Sequence, residues 1–377
     1  MNNDMKKLYD NLTQLFPERR TVVHGALCSV LAGEHVLLLG PPGTAKSALV
    51  RAIAQAFGGL YFERLVTKFS TPEELFGPIS LKAMEADRYE RITTGTLPEA
   101  EFAFVDEIYK ASSAILNTLL TLANERVFHN GQTMTCPLVS LFAASNELPT
   151  EQGLEALHDR FLMRFEVGYL VRESSFRAVI ASGPISTNTS LDMESLHKFQ
   201  WATQKVKVTD ETIDGLIEIR ERCRIEGIVC SDRRWKKSLG LLKANAYLAG
   251  DKETCAEDLA ILTDALWREP KERSKVARIV GQIADPARAQ AIEILDAANE
   301  TASRLSAVRI DDRKQYITQA AQSLEQLRQQ QRRLGELGKK ASARSQATFA
   351  DVEAELTALH GQLAKAVSAG LGLGGAS

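Results

Sequence analysis

The sequence predicts an α/β protein: a mainly parallel five-stranded sheet flanked by helices through about residue 170, then an all-helical remainder. Three observations carry this expectation. Short apolar runs recur through the first half and end at a glycine, an acid or a turn-forming residue. Segments with apolar residues at helical spacing separate them. Beyond residue 170 no run of four or more residues reads as a strand. Strands alternating with helices imply βαβ units and a sheet covered on both faces.

The elements follow in order. Leu8, Leu12, Leu15 and Phe16 mark an amphipathic opening helix, and a second helix lies around residues 22–31. Residues 35–40 (HVLLLG) form the first strand, ending in glycine as buried parallel strands do. Residues 47–57 have helical spacing, and 60–66 (LYFERLV) form a second strand. Ser70, Thr71, Pro72, Glu73 and Glu74 start a helix: a hydroxyl cap, proline in the first turn, then acids that suit the dipole. Residues 101–105 (EFAFV) form a strand followed by a helix over 112–127, and Asn130-Gly131 signals a hairpin. Residues 139–145 (VSLFAAS) are a further strand. A short helix over 154–161 precedes a strand over 165–170.

The second half is expected as a helical domain over 171–268 and a helical hairpin or bundle over 269–377, after an α/β domain over 1–170. In the last part Leu295, Ala298, Ala302, Leu305, Ile310, Ile317, Ala320, Leu324, Leu327 and Leu334 follow heptad-like spacing, interrupted by Arg313 and Gln331. A break at Gly335 and Gly338 sets off a final helix marked by Val352, Leu356, Leu359 and Leu363. The terminal GLGLGGAS reads as disordered.

Composition bounds the function. The 377 residues carry a net charge of −2, with 44% hydrophobic and 25% charged residues, as an ordinary soluble globular protein does. Wholesale disorder and collagen-like structure are excluded, and near-neutral charge argues against a binder that relies on a strongly basic surface. Cys28, Cys136, Cys223, Cys230 and Cys255 are scattered, without a C-x-x-C pair, and read as reduced thiols of a cytoplasmic protein. Neither a secretory signal nor a run of 18 apolar residues is present, so export and membrane spanning are not expected.

The chemistry concentrates at three strand ends. Gly40, Pro41, Pro42, Gly43, Thr44, Ala45, Lys46 and Ser47 follow a strand and open a helix, the context of a phosphate-binding loop. Glycines let successive N–H groups converge on a phosphate, and the helix start adds partial positive charge. Lys46 would reach the β- and γ-phosphates of ATP, and the Ser47 hydroxyl would bind Mg²⁺. Ala45 stands where the pattern's last glycine is expected; its methyl is tolerable if the residue is near helical φ/ψ. A second strand ends in Asp106 and Glu107. Asp106 could hold the metal through water and Glu107 could polarise the attacking water, although two such acids alone could equally cap a helix. A third ends at Asn146, which could orient the water or simply form a turn. Two arginine clusters complete the set: Arg160 with Arg164 further on, and Arg233 with Arg234. A guanidinium aimed at a γ-phosphate stabilises the transition state. If Arg160 acts across a subunit boundary, each site is complete only in an assembly.

These residues resemble an AAA+ ATPase of the MoxR branch, most like its RavA group. The resemblance rests on GPPGTAKS, residues 67–80, 88–101 and 105–126, AASNELP, ALHDRF and SDRRWKK, and covers roughly residues 5–268. It implies Lys46 and Ser47 as Walker A, Asp106 and Glu107 as Walker B, and Asn146 as sensor 1. It further implies Arg160 as arginine finger and Arg233 as sensor 2, with Arg164 and Arg234 as second choices. Residues 67–80 and 88–98 resemble an insert and hairpin that touch partners. A hexameric ring that hydrolyses Mg-ATP to remodel a partner with a von Willebrand factor A domain follows as the implied function. A nucleotide-gated adaptor acting through the C-terminal helices is the alternative, with a nucleic-acid motor behind it, because Arg328, Arg332, Arg333, Lys339, Lys340 and Arg344 read more simply as a solvated face. RavA relatives carry a β-rich inserted domain after the lid; nothing in this sequence reads as one.

Overall fold

The structure, a computed structural model, describes residues 3–149, 154–183, 185, 187, 189–306, 313–339, 341 and 345–370. It divides into two compact units, Met1–Val276 and Ala277–Ser377.

The first unit begins with α1 (Asn3–Leu15), which buries Met5, Leu8 and Leu12 at i, i+3 and i+7, and α2 (Arg20–Ala32). Then β1 (His35–Leu39) leads through the phosphate loop into α3 (Lys46–Phe57), and β2 (Tyr61–Leu65) follows. The short α4 (Pro72–Phe76) starts where the proline and acids place it: Thr71 caps it and Glu74 reaches back, a complete capping box. After α5 (Leu81–Met84) come β3 (Phe102–Asp106), a 3₁₀ turn over Ile108–Lys110, and α6 (Ser113–Glu125). The Asn-Gly signal is a hairpin, with β4 (Val127–Asn130) antiparallel to β5 (Gln132–Thr135) around Gly131 at φ +70°. Then β6 (Ser140–Ser145), α7 (Glu155–His158) and β7 (Phe161–Glu166) complete the sheet.

Five strands lie in the order β2-β3-β6-β1-β7, all parallel. The three central strands are buried along nearly their whole length, which is why they read as continuous apolar runs, while the edge strand β2 is mostly exposed. Phe57 stacks on Phe102 at 6.3 Å between centroids and fixes α3 on the sheet.

The last strand differs from the sequence expectation. It occupies Phe161–Glu166 rather than 165–170, and the preceding helix is only Glu155–His158. Arg164 concealed it: a charge in the middle of an apolar run argues against a buried strand, yet Arg164 is 1% exposed.

After β7, no strand occurs among the described residues. The helices are α8 (Glu173–Ala181), α9 (Met193–Gln204), α10 (Asp210–Ile225), α11 (Asp232–Ala249) and α12 (Pro270–Ala284), with a 3₁₀ stretch over Ala256–Asp264. Asp192, Thr209 and Ser231 cap α9, α10 and α11 through their side chains. α11 lies along α2: Lys237 pairs with Glu34 at 2.6 Å and Asn245 lies 2.6 Å from His24.

In the second unit α13 (Pro286–Ser306), α14 (Arg313–Gly338) and α15 (Gln346–Gly370) pack on one another. Their core contains Ala298, Leu305, Ala320, Leu327, Leu334, Val352, Leu356 and Leu363, at the heptad-spaced positions. Gly335 does not break α14, which runs on to Gly338. Ile310 and the tail after Gly370 lie outside the described residues. Among the described residues no helix is long and apolar enough to cross a membrane.

Candidate functional site

Because the sheet is parallel, the C-terminal ends of its strands share one edge, and β6 lies between β1 and β3. Leu39 pairs with Ser145, and Val105 with Ala143. The phosphate loop, Asn146 and the acids of β3 therefore emerge side by side, at the place where ligands of open α/β sheets bind. Asn146 is exposed at its strand end.

The loop is shaped by its backbone. Gly40 has φ +145°, and a Cβ there would lie 2.2 Å from the Val167 carbonyl oxygen, so no other residue fits. Gly43 has φ +77° and nothing within 4 Å of a Cβ position, so the loop is open there. Ala45 is not near right-handed helical values; its φ of 63° and ψ of 26° are left-handed. For alanine that costs about 1 kcal/mol. Thr44 Oγ1 donates to the Pro41 carbonyl at 3.1 Å, and Lys46 Nζ donates to the Gly40 and Pro41 carbonyls, both at 2.8 Å. The lysine thus spans the loop mouth, bonded to groups that a phosphate can replace. Burial pulls its ammonium below the ordinary value, while Asp106 and Glu107 act in the other direction, so the three charges sense one another.

Asp106 Oδ1 accepts the Glu107 N–H at 3.0 Å. Glu107 is a second left-handed residue, at φ 54°. Its Oε2 is buried and lies 3.1 Å from Lys110 Nζ, in ion-pair range but without hydrogen-bond geometry. A buried carboxylate oxygen still short of a hydrogen bond, beside an open loop of N–H groups, fits a water and a hydrated cation. Pro42 and Ser47 complete the loop and helix start, and Glu63 on β2 is close enough to the Ser47 hydroxyl for the two to interact. Sequence reasoning missed Glu63, which accepts from Arg51 at 2.5 Å and Tyr61 at 2.9 Å. Its only signal was an acid beside Arg64 in a short strand, a pair that reads as an exposed edge.

The arginines are elsewhere. Phe161 pairs with His35, the first residue of β1, whereas the loop follows the last. Five residues of strand, roughly 16 Å, therefore separate Arg160 from its own chain's loop. Arg160 is half-buried and its Nε is buried without a partner. Asp159 brings Arg233 to the same place: Oδ2 accepts from Arg233 at 2.5 Å and from Ser231 Oγ at 3.2 Å. Burial works against ionisation of Asp159, but Arg234 and Arg233 outweigh it and hold the carboxyl below its ordinary range.

The second-choice arginines, Arg164 and Arg234, are both buried and bonded to backbone carbonyls of their own chain. Arg164 donates to the carbonyls of Trp267 and His158. Arg234, 2% exposed, donates to the carbonyls of Asp159, Phe161, Leu162 and Ala265 and to Asp159 Oδ1. All five N–H donors of Arg234 are spent on these acceptors. Arg164 is 1% exposed, holds two carbonyls and keeps its Nε buried without a partner, so neither can turn to a phosphate without abandoning buried acceptors. Arg233, 40% exposed, does.

The profile of the MoxR domain in MoxR-vWA-beta-propeller ternary systems matches residues 3–206, and that of an AAA lid domain matches 211–280. The chain belongs to the MoxR family of AAA+ ATPases. Within or near the family, uncharacterized protein MJ0812 of Methanocaldococcus jannaschii is 42% identical over 312 residues, covering 81% of this chain and 83% of that one. Chaperone MoxR1 of Mycobacterium tuberculosis is 31% identical over 153 residues, 39% of this chain and 40% of its own length. A crystal structure of a protein assigned as an ATPase from Cytophaga hutchinsonii superposes with a TM-score of 0.61 at 21% identity. It covers 74% of this chain and 93% of that one, and shares the fold. Membership of a family of nucleotide-binding ATPases with chaperone-named relatives agrees with the loop and acids described above.

Proposed function

We propose that this MoxR-type protein hydrolyses ATP with Mg²⁺ at sites shared between copies of the chain in a ring, six by resemblance, and uses the cycle to remodel a partner protein. The observation that carries the reading is the placement of Arg160 and Arg233, at the far end of β1 from the loop their own chain supplies. Arginines held there serve a second copy's site better than their own.

The loop N–H groups between Gly40 and Ser47 would cradle the phosphates, with Lys46 exchanging its two carbonyl partners for phosphate oxygens. Ser47 and Asp106 would hold Mg²⁺, which when bound neutralises developing phosphate charge. Glu107 would take up the attacking water's proton and Asn146 would orient that water. Arg160 would then stabilise the transferred phosphoryl group and Arg233 would sense it.

A partner with a von Willebrand factor A domain is suggested by the name of the matching domain profile. Within the family we read the motif string as most similar to the RavA group, without that group's β-rich insert. A cytoplasmic setting suits five scattered free thiols. The second unit's self-contained core also suits an adaptor that recruits partners through α13–α15.

The test is turnover of purified full-length variants. Lys46→Ala is expected to lose nucleotide binding, and Arg160→Ala to lose hydrolysis while keeping binding. Mixing inactive Lys46→Ala with inactive Arg160→Ala subunits should restore part of the activity, because some interfaces then pair an intact loop with an intact arginine. No recovery in mixed rings, or a fully active Arg160→Ala, would remove the shared site.

A further inference from the structure

The turn that carries Glu107 is joined to the segment that carries Arg160 through a single buried histidine. Glu107 leads directly into the 3₁₀ turn Ile108–Lys110. From that turn the Tyr109 hydroxyl reaches His158 Nδ1 at 2.6 Å. On its other side His158 Nε2 lies 2.9 Å from the Arg268 carbonyl, an acceptor only, so Nε2 carries the proton and Nδ1 accepts from tyrosine. The His158 carbonyl accepts from Arg164 at 2.9 Å. Both ring nitrogens and the carbonyl are thereby committed, to the exit of β3, to the end of the lid region and to the middle of β7.

His158 is 6% exposed, and burial, with Arg164 beside it, pulls its pKa to about 3, which keeps the ring neutral and this hydrogen-bond pattern fixed. Asp159 and Arg160 are the next two residues, and Asp159 grips Arg233. One residue, Ile108, therefore separates Glu107 from Tyr109, and one, Asp159, separates His158 from Arg160. The donor end of this line has somewhere to go: Glu107 sits in the left-handed basin, with the right-handed one lower in energy for an ordinary residue. A change of basin there displaces Tyr109, and through its hydroxyl the imidazole.

We propose that Tyr109 and His158 are positioning residues through which the occupancy of a subunit's own site sets the placement of the Arg160–Arg233 pair it offers to a neighbour. This rests on the reading of Arg160 as a residue acting in trans. What it adds is the route: communication between adjacent sites passes through one O–H···N bond.

The test uses the full-length chain. ATP turnover is measured against ATP concentration for wild type, Tyr109→Phe, His158→Gln and the double variant, each below its melting midpoint, with affinity from a fluorescent ATP analogue. Wild type is expected to show a Hill coefficient above 1. Tyr109→Phe should keep nucleotide affinity within about twofold while its Hill coefficient falls to 1 and kcat drops roughly tenfold. The double variant should lose no more than the worse single variant, because both cut the same line. Losses in kcat that multiply in the double variant, or a wild-type Hill coefficient of 1, would overturn the coupling. So would a Tyr109→Phe enzyme as cooperative as wild type. Arg160→Ala is run alongside: if it abolishes turnover while Tyr109→Phe is unchanged, the coupling fails and the shared site stands. If Arg160→Ala is fully active, both fall.

Discussion

Arg233 and Arg234 are adjacent, chemically identical and expected to fail in opposite ways when replaced by alanine. Arg234 is 2% exposed and its guanidinium serves four backbone carbonyls, those of Asp159, Phe161, Leu162 and Ala265, plus a carboxylate oxygen. These acceptors belong to the residues just before β7, to β7 itself and to the end of the lid's 3₁₀ stretch. Truncation leaves them buried without a donor. At about 1 kcal/mol for each of the four orphaned carbonyls, with little added by the partly exposed Asp159 carboxylate, about 4 kcal/mol is expected for Arg234→Ala. For a unit of this size that corresponds to a fall in Tm of roughly 8 °C. Arg233 makes one ion pair, with both partners partly exposed. Arg233→Ala should cost about 0.5 kcal/mol, or roughly 1 °C, yet remove most ATP turnover. Differential scanning fluorimetry of nucleotide-free protein, with phosphate release measured at 20 °C, separates the two. An Arg234→Ala variant melting within 2 °C of wild type would refute the reasoning, as would equal destabilisation by the two substitutions.

Glu107→Gln keeps the size of the side chain but cannot accept a proton; it should bind nucleotide at close to wild-type affinity and turn over at least a hundredfold more slowly, read by phosphate release. Stability should also fall in acid. The folded-state pKa of His158 is depressed to about 3 from an ordinary 6.5, so the unfolded chain takes up its proton first. The neutral ring is compatible with full stability above pH 6.5, and that stability is lost progressively towards pH 3, about 2 kcal/mol of it by pH 5. His158→Gln should shrink the drop in Tm between pH 7.5 and 5.0 by roughly 4 °C, and an unchanged drop would count against the neutral assignment. In the second unit, Leu327→Ala empties a fully buried position and should cost about 3 kcal/mol, visible as an earlier loss of helical circular dichroism on heating.

The strands that bear the loop, the acids and Asn146 were legible because strands buried on both faces must be apolar throughout, and each ends abruptly in polar residues. The hairpin at Asn130-Gly131 was legible for a different reason: few residues accept φ of +70°, and glycine is the default. What sequence concealed was buried charge. Arg126, Arg164 and Arg234 each satisfy carbonyls from distant segments, and nothing local announces that an arginine will be taken inside. The displaced β7 follows from that, as does the inability to choose between Arg233 and Arg234. Backbone strain was equally hidden. The left-handed Ala45 and Glu107 are imposed by the surrounding loops, since neither residue favours that conformation. The pairing of Tyr109 with His158 joins positions 49 residues apart, and only the folded chain brings them together.

The insertion of β6 between β1 and β3 has a consequence for how far this machinery can be retuned. Two rungs of the sheet, roughly 9.6 Å, stand between the strand that delivers the lysine and the strand that delivers the carboxylates. That pitch is dictated by peptide hydrogen bonding and is beyond the reach of any point substitution. Only tether length can adjust the gap, so exchanging Asp106 for glutamate, or shortening Lys46, alters the span by whole methylene steps against a frame that will not yield.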